Sequence, residues 1–136
     1  MMTSGQLAAR AGVGVETLRF YEREGLLPEP TRTAAGYRQY PLGAVERVRF
    51  VRRAQLFGFQ LRDVRQLLSL RDDPDATRAD VRDLAAAKLA EIEQRLRDLE
   101  AMRDDLKGLV EQCDGHGAAA HCPILTAITD DEIPRA

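Results

Sequence analysis

The sequence predicts a mainly α-helical chain. An N-terminal winged helix-turn-helix comes first, then one long dimerisation helix, then a C-terminal loop carrying two cysteines. Three observations predict this. Two short helical patterns flank Gly12-Val13-Gly14. From Thr77 to Cys113 no Gly or Pro occurs until Gly108, and apolar residues recur at Ala85, Leu89, Ile92, Leu96, Leu99, Leu106, Val110 and Cys113. Those steps alternate three and four residues, broken only at Arg103, where Met102 can fill the gap, and form a seam for a second helix that nothing else in the chain is large enough to cover. Finally, Cys113 and Cys122 bracket the Gly/Ala-rich stretch Gly115–Ala120. The implied organisation is a helix-turn-helix module over residues 1–70, a linker at 71–76, the long helix at 77–112, and the loop and tail at 113–136.

The elements follow in order. Thr3 and Ser4 can cap a helix over 6–11 whose apolar face is Leu7, Ala8 and Ala11. A second helix runs from Val15 to Glu24 and stops at Gly25. Two short helices joined by a Gly-containing turn make a helix-turn-helix, whose second helix enters the major groove of DNA. Leu18 and Phe20 hold it to the core, while Glu16, Thr17, Arg19 and Arg23 lie on more exposed arcs and Tyr21 is amphipathic. Arg32 to Tyr40, with Ala35-Gly36 at its centre, suits a β-hairpin wing. Pro41 is expected to open a helix over 42–57, packed through Val45, Val48, Phe50 or Val51, and Ala54. Arg47, Arg49, Arg52 and Arg53 decorate its other face, and some of them are expected to face DNA. Residues 61–70 form a further helix with Leu61, Val64, Leu67 and Leu68 inward. Asp72-Asp73-Pro74-Asp75 is a linker, and Thr77 with Asp80 resembles a capping box that starts the long helix. The stretch Gly115–Ala120 and the tail after Thr129 look loop-like.

The net charge of −2 conceals an asymmetry. Residues 1–70 carry eleven Arg against six acidic residues, and residues 71–136 carry nine basic against sixteen acidic. The front half is therefore +5 and suits a polyanion such as DNA; the back half is −7 and does not. No signal-peptide pattern or long apolar run stands out, which predicts a cytoplasmic protein without a membrane partner. In a reducing compartment two cysteines are thiols rather than a structural disulfide. No Ser/His/Asp arrangement, phosphate-cradling Gly loop or paired-carboxylate site can be placed, so the chain does not read as an enzyme.

Several motifs carry a resemblance. The run Val15-Glu16-Thr17-Leu18-Arg19-Phe20-Tyr21-Glu22, followed by Gly25-Leu26-Leu27, resembles the recognition helix of MerR-family transcription regulators. Gly36-Tyr37-Arg38-Gln39-Tyr40 looks like that family's wing, and Gly58-Phe59 before Leu61 also fits. Cys113-Asp114-Gly115-His116 through His121-Cys122-Pro123-Ile124 resembles the metal-binding loop of the metal-sensing branch. The resemblance implies a homodimer joined by an antiparallel coiled coil, with each winged helix-turn-helix on half of a palindromic promoter site. It also implies that the effector-bound form bends and undertwists an overlong promoter spacer so that RNA polymerase can engage, which is control through DNA shape. Carried over residue by residue, Arg19 and Tyr21 of the recognition helix and Arg32, Tyr37 and Arg38 of the wing match DNA contacts, with Thr17 beside them.

Two thiolates separated by eight residues can meet over one ion. Thiolate is a soft ligand, and a pair favours ions content with linear coordination, which are Cu(I), Ag(I), Au(I) and Hg(II). The loop length resembles the mercury regulators and the surrounding helix the copper branch, a resemblance that implies Cu(I) or Ag(I) first and Hg(II) second. Zinc normally wants four ligands. His116 is expected to be an exposed loop residue, while His121, next to Cys122, reads equally as a ligand or a loop residue. Divalent-metal members of the family have a cysteine at the start of the long helix where this chain has Arg78, and the chain has no third Cys. Arg78 either neutralises the negative bis-thiolate complex or points to water, in which case Thr77 lines the site. The same pair could instead serve as a thiol redox sensor. A metal buffer or chaperone fits poorly with the basic front half.

Overall fold

The computed structural model describes residues 1–130, in two compact units, Met1–Lys88 and the residues from Leu89 onward. The expected loop-like tail lies, beyond Asp130, outside the described residues.

The first unit opens with α1 (Ser4–Ala11) and α2 (Val15–Arg23). Thr3 caps α1: its hydroxyl accepts from the Gln6 N–H at 3.2 Å and the Gln6 side chain accepts from the Thr3 N–H at 3.0 Å. That closed capping box satisfies donors that the first helical turn leaves unpaired. Gly12 ends α1 at φ 73°, a left-handed conformation that only glycine adopts readily, and the chain turns into α2 within three residues. The wing is a two-stranded antiparallel ribbon, β1 (Thr31–Arg32) with β2 (Arg38–Gln39), pairing Thr31 with Gln39 and Arg32 with Arg38. At its tip Gly36, at φ 89°, donates to the Thr33 carbonyl at 2.9 Å. Tyr40 then pairs its backbone with Met2 at 2.7 and 2.8 Å, which fastens the wing to the start of the chain.

α3 (Gly43–Leu56) and α4 (Leu61–Asp72) complete the module. The core is one cluster: Leu7, Leu18, Val48, Val51 and Val64 from these helices are fully buried, with Leu26 after α2 and Tyr40 after β2 among them. Burial of such side chains, roughly 1.5–3 kcal/mol each, is what holds the small module together.

α5 runs from Arg78 to Gln112 as 35 residues without a break. Thr77 starts it as the sequence suggests: its backbone N–H donates to Asp80 at 2.9 Å and its hydroxyl accepts from the Asp80 N–H at 3.3 Å. Residues 78–88 of α5 belong to the first unit. There Lys88 is buried at 6% exposure, with its ammonium 3.9 Å from the Asp63 carboxylate and 5.9 Å from the centre of the Phe59 ring. A buried ammonium is tolerated when a carboxylate and an aromatic face replace its hydration.

In the second unit the rest of α5 leads to a single 3-10 turn (Ala119–His121) and α6 (Pro123–Thr129). α6 lies in the segment expected to be loop and tail. Its signal was present: Pro123 stands at the first helical position, where its missing N–H costs nothing.

Candidate DNA-facing surface and thiolate pair

The recognition helix and the wing are brought together. Arg19 of α2 and Arg32, Tyr37 and Arg38 of the wing line one cavity of about 290 Å³, which Thr3, Ser4 and Gly5 close from the start of α1. Tyr37 is 72% exposed, and Arg32 is steadied by donating to the Gly36 carbonyl at 2.8 Å. Arg19 is exposed; Thr17 is half-buried, with its N–H bonded to the Gly14 carbonyl at 3.1 Å. Arg38 is half-buried beside Glu22. Three guanidiniums and a phenol around one opening are the chemistry that phosphate oxygens require.

Tyr21 corrects the expectation. It is 4% exposed, and its hydroxyl donates to Gln55 on α3 at 2.8 Å. Burial raises its pKa, with Arg52 opposing. The ring is core, not DNA surface, because its position on α2 falls on the same face as Leu18. The arginines of α3 are likewise mostly structural. Arg47 donates to the Leu26 carbonyl at 2.9 Å, Arg49 to the Arg10 carbonyl at 2.7 Å, and Arg52 to the Gly12 carbonyl. The last two carbonyls belong to the end of α1, where a helix leaves acceptors unpaired and favours positive charge.

In the second unit Cys113 follows the last turn of α5 and Cys122 caps α6. Their sulfurs lie 3.6 Å apart. The Cys122 pKa is lowered, first by the backbone N–H of Ile124, then by that of Leu125, and then by the Cys113 thiol, against a small opposing effect of burial. The thiolate is the metal-binding form, so this arrangement favours the ligand. Asp114 shapes the intervening loop by accepting from the His116 N–H at 2.9 Å. His116 and His121 are both exposed. Among the described residues no group of three or more His, Cys, Asp or Glu side chains gathers as a metal site. Thr77 and Arg78 stand at the start of α5; the Thr77 hydroxyl is engaged with Asp80 and Arg78 is exposed.

The pair passes a test of reach. With bonds of about 2.3 Å, taking the zinc–thiolate length as a yardstick, two sulfurs on one ion stand at most about 4.6 Å apart. The observed 3.6 Å lies inside that span, and full linearity asks the pair to open by about 1 Å.

The family model described as MerR HTH family regulatory protein matches residues 2–70, and one described as MerR, DNA binding, matches residues 45–109. The chain belongs to the MerR family. Membership makes it a regulator of a DNA-binding family rather than an enzyme. Among MerR-family relatives, the HTH-type transcriptional regulator HmrR of Rhizobium leguminosarum bv. viciae is 40% identical over 95% of this chain and 98% of its own length. The mercuric resistance operon regulatory protein of Bacillus cereus is 38% identical over 91% of this chain and 94% of its own. A solved MerR-type fold, the transcription regulator PbrR691 from Ralstonia metallidurans CH34 in complex with lead(II), superposes with a TM-score of 0.84 at 37% identity, covering 94% of this chain and 99% of that one. No helix among the described residues is long and apolar enough to cross a membrane.

Proposed function

We propose that this MerR-family chain is a homodimeric transcription regulator that senses a soft, thiophilic metal ion through Cys113 and Cys122. In this reading it activates a metal efflux or detoxification promoter by distorting the DNA so that RNA polymerase can engage. The observation that carries the reading is the pair of sulfurs 3.6 Å apart in a chain with two cysteines. Thiolates select soft ions, and a pair without further ligands favours those content with linear coordination. Among these the likeness of the long helix to the copper branch favours Cu(I) and Ag(I). Relatives named for mercuric resistance and a likeness to a lead(II) complex support a thiophilic ion as the effector class. Arg19, Arg32, Tyr37 and Arg38 hold the promoter DNA, with Thr17 beside them. The exposed seam of α5 meets a second copy of itself. In an antiparallel pairing the start of one α5 comes to the thiolates of the other chain, so that the partner's Arg78 or Thr77 faces the complex. A guanidinium there offsets the negative charge of a bis-thiolate ion.

A mercury-responsive regulator with two-coordinate sensing is the second reading, favoured by the Bacillus cereus relative. Both readings share one test. Cys113→Ser and Cys122→Ser are expected to abolish metal-dependent activation in reconstituted transcription while leaving the affinity of the metal-free protein for promoter DNA within about twofold. Metal-dependent activation surviving in both variants would remove the pair as the sensor.

A further inference from the structure

We propose that Glu22 is a positioning residue for DNA recognition, whose carboxylate ties the recognition helix to the wing and holds the Arg38 guanidinium ready for DNA. The inference rests on the DNA-facing role of Arg38 proposed above. Glu22 lies on α2, with its side chain 10% exposed. One carboxylate oxygen, Oε1, accepts from the Tyr40 hydroxyl. The other, Oε2, stands 3.5 Å from Nε of Arg38. Tyr40 is a rigid anchor, because it is buried and its backbone is bonded on both sides to Met2. The carboxylate is therefore fixed from the core side and presents its remaining oxygen to the wing.

The location gives this contact its meaning. Glu22 shares a cavity of about 280 Å³ with Arg23, Arg32 and Arg38, at the edge of the cavity that Arg19, Arg32, Tyr37 and Arg38 line. A carboxylate on a surface that meets phosphates opposes binding by itself. Here it also removes freedom from a long, flexible arginine before DNA arrives, and a group ordered in advance loses less on binding. The ion pair engages the Nε edge of the guanidinium. This pairing is not legible from the chain alone, because Glu22 and Arg38 are sixteen positions apart on different elements.

The two effects of Glu22 have opposite signs, which makes the test decisive. Metal-free full-length protein would be titrated onto a labelled duplex from the promoter of its own gene at several salt concentrations. The variants are Glu22→Gln, Arg38→Ala and the double substitution, with Glu22→Asp as the charge-keeping control. Gln keeps an acceptor for Tyr40 and the side-chain volume, and circular dichroism melts verify folding. Glu22→Gln is expected to weaken binding about tenfold although it removes a negative charge, within the range of coupling for residues in contact. It should lower the slope of log K against log salt by about 0.9, the loss of one phosphate contact. It should add nothing in the Arg38→Ala background, and Glu22→Asp should keep a slope close to that of the unaltered chain. Unchanged or tighter binding by Glu22→Gln, or losses that add in the double variant, would overturn the role of Glu22 while leaving that of Arg38 intact. Binding unaffected by Arg38→Ala would overturn both.

Discussion

Cys122 is held below the usual thiol range by its surroundings. Its sulfur faces the backbone N–H groups of Ile124 and Leu125 at the start of α6, and these lower its pKa before the Cys113 thiol adds to the effect. The order of causes leads to a prediction. In reduced, metal-free protein the pH midpoint for iodoacetamide labelling of Cys122, followed by mass spectrometry, should lie below the midpoint of the same thiol in urea. The lowering should shrink but persist in Cys113→Ser, because the backbone donors remain. A folded midpoint equal to the unfolded one would show that the donors do not reach the sulfur. At the same scale, the sequence pattern carried some side chains and not others. The exposure of Arg19, Arg32 and Tyr37 is legible because basic and aromatic residues on the outer arc of a short helix and a hairpin have few other places to go. The burial of Tyr21 is not, since an amphipathic ring reads the same whether its hydroxyl meets water, DNA or Gln55. The structural partners of Arg47, Arg49 and Arg52 are hidden for a related reason: the carbonyls of Leu26, Arg10 and Gly12 are far away in sequence.

α5 is the element on which the dimer proposal stands. Leu89, Leu96, Leu99, Leu106 and Val110 are all exposed, with Leu99 at 57%. An apolar stripe of that length on one helix is an interaction face rather than scattered surface. In a symmetric pair each side chain is buried twice, so losing one leucine removes roughly 3–6 kcal/mol of dimer stability by area. Leu99→Asp should therefore raise the dimer dissociation constant by at least about a hundredfold, and sedimentation velocity at micromolar concentration should show a monomer. An unaltered dimer would mean that the seam is not the interface. The element boundaries themselves were largely legible. The capping residues Thr3 and Thr77 and the turn at Gly12 are local signals and act as expected, whereas α1 starts at Ser4 rather than at position 6 and α3 at Gly43 rather than directly after Pro41. α6 was the exception. At seven residues it is too short for a periodic pattern to stand out, and the Cys-Pro start was read as loop chemistry.

At the scale of the whole molecule, charge and thiol chemistry divide the labour. The net positive charge falls on the first 70 positions with the helix-turn-helix and wing, because the acidic residues concentrate in the remainder, which holds the thiolate pair. Such a division suits a protein that reads an ion with one part and DNA with another, coupled through the effector's different affinity for two states. Membership of the MerR family accords with the DNA-reading part of that statement, and the pair of thiols supports the ion-reading part. The most direct measurement is anaerobic run-off transcription from the promoter of the chain's own gene, with reduced protein challenged separately with Cu(I), Ag(I), Hg(II), Zn(II) and Cd(II). The account predicts activation by Cu(I) and Ag(I), with no response to Zn(II) or Cd(II). Activation by Hg(II) alone would move the effector to the second reading, and activation by Zn(II) or Cd(II), or by none of the five ions, would contradict two-thiolate sensing of a soft metal.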